Sequence, residues 1–67
     1  MKKTLNQLKA SRRNLSLMLL AGMITNLKQI KHFVRDTEVV IRIDTIITAI
    51  ERLQSAIRET TYESWSA

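Results

Sequence analysis

Proline is absent from this chain and glycine occurs once, at Gly22. These residues write most tight turns, because Pro presets φ and Gly admits backbone conformations that other residues avoid. A β-sheet fold needs such signals every few residues, so the chain is read as long helices joined by few connections. At 67 residues there is room for one small domain. A core of that size rarely supplies more than a few kcal/mol unless a disulfide, a metal or self-association adds to it. There is no cysteine, and the single histidine, His32, has no partner at ligand spacing, which leaves association. The apolar content of 45% against 25% charged residues argues for a folded chain.

Taken at helical periodicity, Leu5, Leu8, Leu19, Leu20, Met23, Leu27, Ile30 and Val34 form one stripe. Val39, Ile43, Ile46, Ile47, Ile50, Leu53 and Ile57 form a second, with Ile43, Ile50 and Ile57 at heptad spacing as in a coiled-coil seam. Between the stripes, Lys31, His32 and Arg35 suit the last turn of a helix. Asp36 or Thr37 suits the cap of the next, with Glu38 in its first turn. A fold-back near Asp36 sets Met23 against Ile50, Leu20 against Leu53, Leu27 against Ile46 and Ile30 against Ile43, all apolar pairs. One uninterrupted helix is the alternative, since neither Gly nor Pro marks the turn.

The expectation is therefore an all-α fold: an antiparallel helical hairpin with helices over about 3–35 and 37–62. The first helix is either straight or kinked near Ser11–Ser16 or Gly22, and the core is completed by oligomerisation. The whole chain, 1–67, forms one domain. Residues 1–13 are a basic arm or helix start, 14–35 helix one, 37–62 helix two and 63–67 a tail. Residues Leu15 to Ile24 are apolar all round, which one partner helix cannot cover. Leu17, Met18, Ala21 and Ile24, with Ala49 and Ala56 flanking the seam of helix two, are thus candidates for an oligomer or partner interface. Asn26, on the edge of the first stripe, either fixes register or points to solvent. Tyr62 and Trp65 are expected to clamp the N-terminal segment, with a cation–π contact to Arg12 or Arg13, unless the tail frays.

Residues 1–35 hold Lys2, Lys3, Lys9, Arg12, Arg13, Lys28, Lys31 and Arg35 and no acid. Residues 36–67 hold Arg42, Arg52 and Arg58 against Asp36, Glu38, Asp44, Glu51, Glu59 and Glu63. The halves should attract each other, or copies of each other, and the net +5 suits an anionic partner. Lys9, Arg12, Arg13, Lys28, Lys31 and Arg35 are the candidate anion-binding residues. Aromatic residues are too few for stacking on single strands, and no helix-turn-helix, zinc or glycine-rich phosphate motif is present.

The five residues Ser11-Arg12-Arg13-Asn14-Leu15 resemble the twin-arginine export signal of bacteria. Removal of such a leader would leave about forty residues, near the limit for independent folding. The expected location is therefore cytoplasmic, with export as the minor alternative. A ten-residue apolar run falls short of the ~20 residues that cross a bilayer. No nucleophile–base pair or converging carboxylates can be assembled, so neither catalytic residues, a metal site nor a cofactor is expected. The expected function is a non-enzymatic helical interaction module, a regulator, inhibitor or assembly factor. Its expected partners are itself and another protein, with nucleic acid or a nucleotide as the alternative and a membrane disfavoured.

Overall fold

The computed structural model describes residues 4–65. Two α-helices, α1 (Leu5–Phe33) and α2 (Thr37–Arg58), pack antiparallel as a hairpin, and a single 3₁₀ turn follows at Tyr62–Ser64. Lys2 and Lys3 of the basic arm and the last two residues of the tail lie outside the described residues.

Each helix end has a local cause. Thr4 opens α1 with a capping box: the Gln7 amide donates to Thr4 Oγ1 at 3.2 Å, and the Thr4 amide donates to Gln7 Oε1 at 2.8 Å. Two amides that the helix cannot satisfy internally are thereby paired. The helix runs unbroken through Ser11–Ser16 and Gly22. Ser16 stays inside it by donating its hydroxyl to the Arg12 carbonyl at 2.9 Å. Lys31 and His32 occupy the last turn, where positive charge favours the helix dipole.

The connection is short and extended. Val34 sits at φ −86°, ψ 134° and Asp36 at φ −76°, ψ 118°. No described residue takes a positive φ, which is why the turn needs no glycine. Asp36 caps α2 through its side chain, accepting from the Glu38 amide at 2.9 Å and the Val39 amide at 3.2 Å.

The level of pairing follows the sequence expectation, in that residues equidistant from the turn meet. Lys31 Nζ reaches Asp44 Oδ1 at 2.7 Å near the turn, and Arg13 donates to the Thr60 carbonyl at 3.2 Å at the other end. The faces differ from that expectation. The buried row of α2 is Ile43, Ile47, Ile50 and Gln54, with the three isoleucines between 6% and 8% exposed. Opposite it, Leu17, Leu20, Ile24 and Leu27 of α1 are half-buried. Both rows step by threes and fours, the spacing of a coiled-coil seam. Met23, Ile30, Ile46 and Leu53, expected inside the hairpin, are about half exposed. Leu17 and Ile24, expected on an outer interface, line the inner seam instead.

The reason lies in how periodicity adds. At 100° per residue each helix carries two apolar rows, roughly 120° apart in α1 and roughly 70° apart in α2, and the best single stripe points between them. Rotating each helix to place one row in the hairpin leaves the other outside.

The resulting core is thin. No described side chain is fully buried, and α1 buries none at all to the level of the α2 isoleucines. The molecule measures 50 × 22 × 12 Å, with a radius of gyration of 15.6 Å. A compact chain of this length would have a radius of roughly 11 Å.

The C-terminal segment folds back over the open end. The Trp65 indole donates to Thr60 Oγ1 at 2.7 Å, and the Arg13 guanidinium lies 5.5 Å from the centre of the Tyr62 ring. Arg13 thus makes the cation–π half of the expected clamp, and Arg12 does not.

Candidate interaction surface

The second apolar row of α1 comprises Leu5, Leu8, Leu15, Leu19, Met23, Ile30 and Phe33, all exposed. That of α2 comprises Val39, Ile46 and Leu53, with the exposed Ala49 and Ala56 between them. In both helices the row lies on the same rotational side of the inner seam. Right-handed helices running antiparallel bring two such rows to one side of the pair. The hairpin therefore presents one largely apolar face built from both helices, interrupted in α1 by Arg12 and Asn26. Ten of the thirteen large apolar side chains exposed among the described residues belong to it. A monomeric protein rarely leaves so extended an apolar patch in water without using it for binding.

The opposite side is polar. It carries Lys28, His32 and Thr25 from α1, with Asp44, Glu51, Ser55 and Arg58 from α2, all exposed. Met18, 71% exposed, and Ala21 turn towards this side, so they do not join Ala49 and Ala56 on the apolar face. The six residues expected at an outer interface thus divide three ways. Leu17 and Ile24 lie inside the hairpin, Ala49 and Ala56 on the apolar face, and Met18 and Ala21 behind it.

The basic residues also divide. Lys9, Arg12 and Arg13 lie at the open end, while Lys28, Lys31 and Arg35 lie at the turn end. Arg13 is engaged by Thr60 and Tyr62, and Lys31 by Asp44. Arg12 lies along the outer row, between Leu8 and Leu15, and Lys28 borders the polar side, so the six do not form one ridge. Asn26 is exposed and lies along the second row, where a polar side chain interrupts the apolar ones. A shallow concavity lined by Ile41, Asp44, Thr45, Thr48, Ala49 and Arg52 belongs to α2 alone and is open to solvent.

No described helix is long and apolar enough to cross a membrane. Among the described residues, no three His, Asp or Glu side chains gather closely enough to hold a metal ion.

What marks the second row in the sequence is a heptad spacing, Leu8 to Leu15, Met23 to Ile30, and Val39 to Ile46 to Leu53, with Leu19 and Phe33 at intermediate steps of four and three. Counting two rows per helix from the start would have separated inner seam from outer face. Comparison of this chain with protein-family models, with curated proteins and with solved structures yields no match, so the surface is interpreted on its own chemistry.

Proposed function

We propose that this chain is a non-enzymatic helical interaction module that works by burying its two-helix apolar face against other protein helices. The observation that carries the proposal is the gathering of ten exposed large apolar side chains on that one face. Such a face gains free energy by leaving water, at roughly 25 cal/mol per Å². It offers the heptad spacing that receiving helices need. The role is that of a regulator, inhibitor or assembly factor, whose effect comes from occupying a surface.

A photo-crosslinking amino acid placed at Leu19 or Leu53 in cells producing the chain tests this. Discrete protein adducts are expected from both positions and none from Ser55, on the polar side. No adducts from Leu19 and Leu53, or equal adducts from all three, would count against the proposal.

A second reading, anion binding, draws support from one observation. Lys9, Arg12, Lys28 and Arg35 have no acidic partner within ion-pair distance among the described residues. Nucleic acid or a nucleotide held by these groups would be released steeply as salt rises, whereas apolar docking responds little. A 260/280 nm absorbance ratio that starts high and falls across a salt gradient would favour this second reading.

A further inference from the structure

We infer that the occupant of the apolar face is a second copy of this chain, stacked so that α1 of each copy lies on α2 of the other, with both turns at the same end. This inference rests on the reading of that face as a protein-binding surface and names what covers it.

The area comes first. A folded monomer of 7.8 kDa exposes about 4,400 Å² by the size scaling of compact proteins. This hairpin exposes 5494 Å², an excess of roughly 1,100 Å² per chain. Two copies that each covered an area equal to this excess would together remove about 2,200 Å², which falls in the range of obligate homodimers.

The shape comes second. The face runs along a molecule 50 Å long and two helices wide. A partner must offer an apolar surface of the same length and a matching heptad spacing. A second copy does so without any further requirement, and a two-fold axis makes the match reciprocal.

Charge then selects between the two ways of stacking. Every acidic residue of the chain lies at Asp36 or beyond, and α1 contains only basic charges. Any ion pair that α1 makes with another helix therefore needs an acid of α2, and the Lys31–Asp44 pair at 2.7 Å inside the hairpin is one instance. Stacking α1 on α1 of the second copy brings basic helices together. Stacking α1 on α2 removes that repulsion and keeps all neighbouring helices antiparallel. It requires a two-fold axis parallel to the helices, which sets both turns at one end. Arg12, which lies along the outer row of α1, is then level with Glu59, the residue that caps α2, in the second copy.

Sedimentation equilibrium of the full chain, with a nitroxide on Thr37→Cys for distance measurement between copies, tests both parts. Thr37 is exposed beside the turn and outside the face. The expected result is twice the 7.8 kDa chain mass and a label separation well under half of the 50 Å molecular length. Twice the mass with a separation near the full length would overturn the stacking. A single-chain mass, or three copies or more, would overturn the pair. Single-chain mass together with crosslinks from Leu19 to a different protein would overturn self-pairing alone. Single-chain mass without any crosslink would remove the interaction surface as well.

Discussion

Arg13 illustrates how one residue ties distant parts of a small chain together. Its guanidinium donates to the Thr60 carbonyl at 3.2 Å and lies 5.5 Å from the Tyr62 ring centre, so the end of α2 and the turn after it are held against α1. Trp65 is the only tryptophan and sits just beyond that turn, hydrogen-bonded to Thr60. Replacing Arg13 with Ala should release the segment, at a cost of about 1 kcal/mol for a hydrogen bond and a partly exposed cation–π contact. Trp65 fluorescence should then shift towards that of an indole in water, while helicity changes little. An unchanged emission spectrum in R13A would show that Arg13 does not hold the tail. The contact was legible in the sequence as a spacing: Tyr62 and Trp65, folded back across the turn, fall beside the first basic cluster. The start of α2 was legible too, as a cap at Asp36 or Thr37 followed by Glu38, and the structure selects Asp36.

At the scale of the element, α1 is the informative case. Its 29 residues carry an inner row of Leu17, Leu20, Ile24 and Leu27 and an outer row through Leu15, Leu19, Met23 and Ile30. The helices, their order and the level at which they pair followed from periodicity and the lack of turn residues. Their rotation did not, since a helix apolar over more than half its circumference has no single preferred side. Only packing against a specific neighbour chooses which row goes inside. Neighbouring residues on α1 therefore make a sharp test. Met18 and Leu19 are both largely exposed in the hairpin, at 71% and 62%, but Leu19 is on the apolar face and Met18 is not. Leu19→Asp should abolish self-association or weaken it by at least tenfold, because it places an unpaired charge in the covered surface. Met18→Asp should leave association within about twofold, as expected of an exposed surface change. Equal effects in the two variants, read by sedimentation, would refute the orientation assigned to α1.

For the whole molecule, the decisive quantity is how little a lone hairpin buries. Among the described residues only three isoleucines and a glutamine are buried, and the radius of gyration of 15.6 Å is that of an elongated body. A chain of this size without disulfides draws on every buried contact it can make, so covering the apolar face and stabilising the hairpin should be one event. Thermal unfolding followed by circular dichroism over a hundredfold range of protein concentration measures that coupling. Mass action across such a range is worth about 2.7 kcal/mol, which for a domain this small is a rise in Tm of roughly 10 °C or more. A Tm that climbs with concentration to this extent is the predicted result. A Tm that stays constant across the range, with full helicity at the lowest concentration, would contradict the account, because the hairpin would then be stable with its apolar face in water.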